Sequence, residues 1–263
     1  METIRVARDD QGVVTVTLDR PEKMNAINRR MWYELIDVFD EVADSRADRV
    51  LVITGAGDAF TSGADLTDDD GDGGPGRGVG ASLHAMRLVG RCALRLHEVP
   101  KPTIAAVNGV AVGAGCNLAL GCDLIVAADS ARFSEIFARR GLSLDFGGSW
   151  VLPRLIGLHR AKELAFLAEI LSAEEAERFG IVNRVVPAAD LEKVVTDLAQ
   201  RIAAQPPMQL SVIKRQLNQA FSVSMSEALE FEDVAQTVAF SSQDTAEAML
   251  AYFEKREPRF TGE

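Results

Sequence analysis

Asn108-Gly109-Val110-Ala111-Val112-Gly113-Ala114-Gly115 follows the run Pro102-Thr103-Ile104-Ala105-Ala106-Val107 and precedes the apolar stretch Cys116–Leu120. The run reads as a strand and the stretch as a short helix. Glycines at such a turn let a ligand approach the main chain, while the first helical N–H groups stay free to donate. The alternation extends in both directions. Val13-Val14-Thr15-Val16-Thr17-Leu18 has strand composition and stops at Asp19-Arg20-Pro21. Residues 28–44 carry Met31, Leu35, Val38, Phe39 and Val42 at helical spacing. Val50-Leu51-Val52-Ile53 is an apolar run before Gly55-Ala56-Gly57, as a buried strand would be. A helix over 83–98 and a strand over Cys122–Ala127 continue the pattern. Short strands alternating with helices predict a mainly parallel α/β arrangement.

The remainder reads as nearly all helix. Ser172-Ala173-Glu174-Glu175 is a capping box ahead of Ala176–Phe179, which Gly180 ends. Ile181–Val186 reads as a last short strand before Pro187, and Leu191–Gln205, Met208–Phe221, Met225–Phe240 and Thr245–Arg256 as helices. Several of these are more apolar than a solvated surface needs, which favours an oligomerisation module over a simple helical cap.

Composition removes whole classes of function. The chain has 263 residues, 47% hydrophobic and 25% charged, enough for a large core without a disulfide or metal staple. Cys92, Cys116 and Cys122, an odd count in apolar stretches, fit small core residues of a reduced, cytoplasmic protein. A net charge of −11 opposes nucleic-acid binding. Residues 1–10 show no apolar secretory segment, and no apolar run approaches the ~18 residues of a membrane helix. His84, His97 and His159 have no ligand spacing, so no metal is expected. Residues 67–80, rich in glycine and aspartate, predict a mobile loop. Asp68, Asp70 and Asp72 begin like a calcium loop, but Val79 stands where a bidentate glutamate is required.

Two chemistries compete for the glycine turn. Dinucleotide binding of the short-chain dehydrogenase kind needs that turn after the first strand, and a tyrosine followed four residues later by lysine. Tyr33 and Tyr252 are followed at that spacing by Asp37 and Arg256. The other reading pairs the turn with Phe60-Thr61-Ser62-Gly63-Ala64-Asp65-Leu66, so that two main-chain N–H groups address one oxygen, an oxyanion hole without polar side chains.

Together these segments resemble the enoyl-CoA hydratase/isomerase (crotonase) superfamily. The resemblance runs over nearly the whole chain: Asp19-Arg20-Pro21 with Asn25-Ala26, Phe60–Asp65, Lys101–Gly109, Gly113–Gly115, Cys122-Asp123, and Gly147-Gly148-Ser149 through Pro153-Arg154. It implies an α/β crotonase-like spiral of ββα units over residues 1–200, and a C-terminal helical trimerisation region over 201–263. It implies homotrimers or homohexamers and an acyl-CoA thioester substrate, coenzyme A being part of the substrate and no separate cofactor being needed. By position, the N–H groups of Ala64 and Ala114 would hold the thioester oxygen beside Gly113. Ala64-Asp65-Leu66 would line the adenine side. Lys23, and Lys255 or Arg256 from a neighbouring subunit, would meet the phosphates or simply lie in solvent.

The sequence departs from the hydratase pattern that the resemblance implies. Typical family hydratases use two glutamates to position a water and move its protons. The first position here is Asn117, an amide that cannot be a general base. The second, counted from Phe133 to Gly141, falls on Phe137, with Glu135 two residues away. Asp145, in Gly141-Leu142-Ser143-Leu144-Asp145-Phe146-Gly147-Gly148, matches the aspartate of isomerase-type members, and of 4-chlorobenzoyl-CoA dehalogenases. The latter also need a histidine and a tryptophan where this chain has Gly90 and Phe137. Asp145 reads either as a cap of a helix over 146–155 or as an acid/base in an apolar pocket near Phe137, Phe146 and Trp150, where its pKa would rise. The acid/base role is favoured. The expected reaction is double-bond isomerisation through an enolate held by Ala64 and Ala114. The alternatives are hydration by Asp145 alone and an acyl-CoA binder without turnover.

Overall fold

Ile4–Arg8 (β1) and Val13–Leu18 (β2) pair antiparallel across the turn at Gly12. The structure, a computed structural model, describes residues 1–67 and 78–263. Asn28 caps Arg29–Asp44 (α1) by accepting from the Met31 N–H at 3.0 Å, and the helix buries Met31, Leu35, Val38, Phe39 and Val42, as the spacing predicts. Val50–Gly55 (β3) then runs parallel to β2, and Ala59–Thr61 (β4) leaves for a second sheet. Val79–Glu98 (α2) starts four residues earlier than expected. Of the loop expected over 67–80, residues 68–77 lie outside the described residues, and with them the aspartates weighed for calcium.

Two further turns repeat the unit. Thr103–Val107 (β5) and Val110–Val112 (β6) lead into Ala114–Leu120 (α3); Leu124–Ala128 (β7) and Arg132–Ser134 (β8) lead towards Gly148–Ile156 (α4). Leu158–Leu167 (α5), Leu171–Ser172 (β9), Ala173–Phe179 (α6) and Arg184–Val186 (β10) close the spiral. Among the described residues, one sheet of six strands runs β1-β2-β3-β5-β7-β10 and one of four runs β4-β6-β8-β9. From β3 onwards each ββα turn thus gives one strand to each sheet, whereas β1 and β2 both belong to the larger one. The larger sheet is parallel apart from β1.

The uninterrupted apolar runs follow from burial on both faces. Leu51, Ile53 and Ala105 point into the core shared with α1, α2 and α3. Val50, Val52, Ile104 and Val126 point the other way, under Leu191, Val195, Ala199 and Ala203 of Leu191–Ala203 (α7). The last strand is shorter than expected, because the Ile181 and Val182 N–H groups both turn to the Ala176 oxygen and close α6.

Polar residues in the family-like motifs brace the turns of the spiral. Asn108 donates to Gly55 and Gly57 oxygens at 3.0 and 2.8 Å, and a Cβ on Gly109 would stand 2.0 Å from the Asp58 oxygen. Lys101 donates to the last carbonyls of α1, at Val42, Ala43 and Ser45. Beyond α7 come Pro207–Gln219 (α8), Met225–Phe240 (α9) and Gln243–Glu254 (α10). Lys214 ties α8 to the spiral through Asp123 at 2.7 Å and the Lys101 oxygen at 3.0 Å. All three cysteines are buried and unpaired. Among the described residues no helix is long and apolar enough to cross a membrane, and no group of histidine, cysteine and acidic side chains could hold a metal.

Candidate active site

Asn25 builds the first half of the site. Wholly buried, with a left-handed backbone at φ +54°, it donates to the oxygens of Ala56 and Ala59 at 2.9 and 2.8 Å and accepts from the Arg20 N–H at 3.0 Å. Its own carbonyl accepts from the Thr61 hydroxyl at 2.7 Å, and that hydroxyl accepts from the Gly63 N–H at 3.1 Å. The segment beyond forms one parallel bridge: the Ile27 N–H donates to Gly63 at 2.8 Å, and the Asp65 N–H donates to Ile27 at 2.9 Å. Alternation along an extended chain turns the intervening Ala64 N–H to the opposite side, where among the described residues it meets no acceptor.

The second half is the turn from β6 into α3. Gly113, at φ +56° and ψ −125°, adopts a backbone that only glycine takes readily, and its N–H donates to Ser134 at 2.9 Å. Ala114 is the first residue of α3, so its N–H has no partner within the helix. The halves meet main chain to main chain. A Cβ on Gly63 would lie 3.5 Å from the Ala114 nitrogen, and one on Gly115 would lie 2.5 Å from Thr61 Cγ2 and 3.2 Å from the Gly63 nitrogen. Glycine at both positions lets the main chain around Gly63 pack directly on the start of α3.

The acid sits one helical turn further on. Asn117, three residues after Ala114 and 1% exposed, donates from Nδ2 to the main-chain oxygen of Asp145 at 3.1 Å. The capping alternative for Asp145 does not hold. The next helix begins at Gly148 with Gly147 as its cap and no side-chain cap bond, and the Asp145 main-chain oxygen accepts from the Gly148 N–H at 2.9 Å. The side chain is left for other work: Oδ1 is buried and has no partner among the described residues, and burial pushes the carboxyl up to about 6. Phe146 is buried and stacks on Trp32, while Trp150 lies against Arg154 and His97, away from the role expected of it.

Phe137 is buried with its ring edge 3.7 Å from where a Gly113 Cβ would stand, so it walls the glycine turn. On the far side of Ala64, the Asp65 side chain turns inward to Arg20 at 3.0 Å and Lys23 at 3.2 Å. Burial opposes its ionisation, but bonds from Thr67, Arg20 and Lys23 outweigh that and hold the carboxyl at about 2. Lys23 is therefore paired, though its side chain remains 44% exposed, and Leu66 lies in solvent. Arg256 is engaged by Glu247 and Glu254 of its own chain.

Glu135, which by its spacing could substitute for the second glutamate only through a register shift, is assigned no role by the sequence. It is 3% exposed, and its Oε2 accepts from Asn117 at 3.4 Å. Burial pushes it up to about 7, against the bonds from Cys116 and Asn117 and with the Asp145 charge adding to the rise. Counting residues placed it off the family position. No alternation marks it, since Phe133, Ser134 and Glu135 are all buried and Glu135 lies just past the end of β8.

Known proteins resemble this chain over nearly its whole length. The family model described as enoyl-CoA hydratase/isomerase matches residues 8–263. The chain is 41% identical over 254 residues to the 1,2-epoxyphenylacetyl-CoA isomerase of Escherichia coli K12, covering 96% of each chain. It is 35% identical to the short-chain-enoyl-CoA hydratase of Clostridium acetobutylicum, covering 97% of each. The crystal structure of an enoyl-CoA hydratase from Bacillus anthracis superposes with a TM-score of 0.94 at 32% identity, over 100% of both chains.

Proposed function

Given that this chain belongs to the enoyl-CoA hydratase/isomerase family, we propose that it shifts the double bond of an enoyl-coenzyme A thioester, with Asp145 as both base and acid. The observation that carries this reading is the Asp145 carboxyl, buried, with an unpartnered oxygen and a raised pKa, on a turn held by the same helix that presents the Ala114 N–H.

The thioester oxygen lies between the N–H groups of Ala64 and Ala114. When Asp145 takes a proton from Cα, the electron pair of that bond moves into the carbonyl and the charge settles on this oxygen, where the two fixed donors stabilise it. The carboxylic acid so formed returns the proton at Cγ, and the double bond moves by one position. One group suffices, because it ends each cycle as it began. A base near 6 is ionised at neutral pH and still basic enough to work. Water addition asks more of one carboxyl, since water must be deprotonated and Cα protonated, and the two positions of the hydratase glutamates hold Asn117 and Phe137.

Hydration by Asp145 is the second reading, supported by relatives named as hydratases. Purified protein with 3-enoyl-CoA and 2-enoyl-CoA substrates, the products read by mass, separates the two. Asp145→Asn is expected to bind the thioester and to lose ~10²–10⁴-fold in isomerisation. Parent-like isomerisation by that variant, or hydration as the faster reaction, overturns the first reading.

We further propose that copies associate through the C-terminal helices as homotrimers or homohexamers in the cytoplasm. Phe221, Met225, Phe240, Tyr252 and Phe253 are each 70% exposed or more on α9, α10 and the α8–α9 connection, far more apolar surface than a solvated cap needs.

A further inference from the structure

Glu135 takes no part in the chemistry above, yet it is the more enclosed of the two acids beside Asn117. Its Oε1 is buried without a partner among the described residues, and no lysine or arginine pairs with it among them. A cavity of about 10 Å³, room for about one water, opens against it, walled by Cys116, Phe133, Leu152, Leu164 and Leu171. The polar groups facing it are the Cys116 thiol from α3, the Ser134 main chain from β8, Glu169 from the turn after α5, and Asp145 from the segment before α4. None is cationic. The Asn117 amide joins the two acids, reaching Glu135 Oε2 at 3.4 Å and the Asp145 main-chain oxygen at 3.1 Å from the same nitrogen. That amide cannot swing away, because Gly148 packs on it so closely that a Cβ there would lie 2.3–2.6 Å from its three end atoms.

We propose that Glu135 is a positioning residue that works as a neutral acid: its proton keeps a second negative charge away from Asp145, and losing that proton shuts the site down. The proposal rests on Asp145 being the base. Its physical ground is that a buried carboxylate with no cation is costly, and a second one beside it costlier still. The order of ionisation follows. Asp145 goes first, near 6, and its charge then helps to hold the proton on Glu135 to about 7. Between those values the site carries one carboxylate and one acid. Above them a second negative charge opposes the enolate, and makes the protonated Asp145 slow to give its proton back.

The test is the pH dependence of kcat/KM on a 3-enoyl-CoA for the parent and Glu135→Gln, which keeps the size and neutrality of the acid. The parent is expected to rise through about 6 and fall above about 7. The variant should keep the rise and lose the fall, exceeding the parent about tenfold or more at alkaline pH, where a group titrating near 7 has released nearly all its proton. An alkaline fall of the same size in both proteins overturns the proposal. Glu135→Met, neutral and of similar length, gives the same reading where the glutamine variant folds poorly. Infrared difference spectra from acid to alkaline pH provide a readout apart from turnover. The carbonyl band that disappears as pH rises through about 7 should be absent in Glu135→Gln and persist in Asp145→Asn, while the band that disappears near 6 should do the reverse. A band near 7 unchanged in Glu135→Gln also overturns the proposal. Should Asp145→Asn isomerise like the parent while Glu135→Gln still removes the band near 7, the assignment of the base has failed and the buried acid has not.

Discussion

Phe146 stacks on Trp32, ring centroids 5.5 Å apart and planes 27° apart, from a backbone held at φ +46°. A bulky residue in the left-handed region costs ~1–3 kcal/mol, so the stack against α1 pins a conformation the chain would otherwise leave. Asp145 is the preceding residue, and its direction is set by this pin on one side and by Asn117 on the other. Trp32→Leu keeps an apolar filling and removes the stack. The expected result is a loss of up to ~10²-fold in kcat, as for a catalytic group displaced by about 1 Å, with KM little changed. Steady-state kinetics on a 3-enoyl-CoA check it, and an unchanged kcat would mean that Asn117 alone aims the acid.

Gly115 tests the oxyanion hole without touching either donor. An added Cβ would stand 2.5 Å from Thr61 Cγ2 and 2.8 Å from the Thr61 oxygen, so β4 and α3 must separate and the two N–H groups with them. Gly115→Ala is expected to lose ~10²–10³-fold in kcat, the range for one misplaced oxyanion donor. Gly90→Ala, within α2 and with nothing within 4 Å of the new Cβ, should instead stabilise the protein by ~0.5–1 kcal/mol, read by denaturant unfolding.

The fold was legible where elements are long and one period dominates. The α1 stripe, the β2, β3, β5 and β7 runs and the α9 helix fall within a few residues of where the sequence puts them. The second sheet was not, because β4, β6 and β8 have three residues each, too few to show alternation. At the site, Ala64 and Ala114 came from the family resemblance; a main-chain donor leaves no side-chain signature, and only the flanking glycines hint at it. The cap reading of Asp145 failed because Gly147-Gly148 lets the helix start two residues later, a choice of backbone that composition does not encode. Glu135 was visible in the sequence but had no role there, because its partner, Asn117, is fixed by tertiary packing against Gly148.

The C-terminal helices give a test of assembly. Phe240 and Phe253 are 70% and 73% exposed, and neither is near Asp145 or Ala114 in sequence. Light scattering at micromolar concentration is expected to give a mass of three or six chains. Phe240→Glu with Phe253→Glu should shift that towards one chain with the helix content retained, because a charge does not enter a desolvated interface unpaired. An unaltered mass places the interface elsewhere.

Asp145 also predicts a stability that depends on pH. Its carboxyl ionises near 6 in the folded protein, against about 4 for an exposed aspartate. Between those values the folded chain holds a proton that the unfolded chain has released, so each step up in pH favours unfolding. The contribution is therefore intact below about 4, is lost as pH rises through 6, and is constant above. A two-unit shift corresponds to at most ~3 kcal/mol. Asp145→Asn carries no charge to bury, so its melting temperature should match the parent near pH 4 and exceed it by several degrees at pH 8, at ~2–4 °C per kcal/mol for a chain of this size. The same substitution that removes catalysis would then stabilise the fold, as expected of a carboxyl kept in an apolar site for its basicity. A difference in melting temperature that does not vary with pH would show that the Asp145 carboxyl titrates like a solvated aspartate, and would withdraw the electrostatic basis for its role as the base.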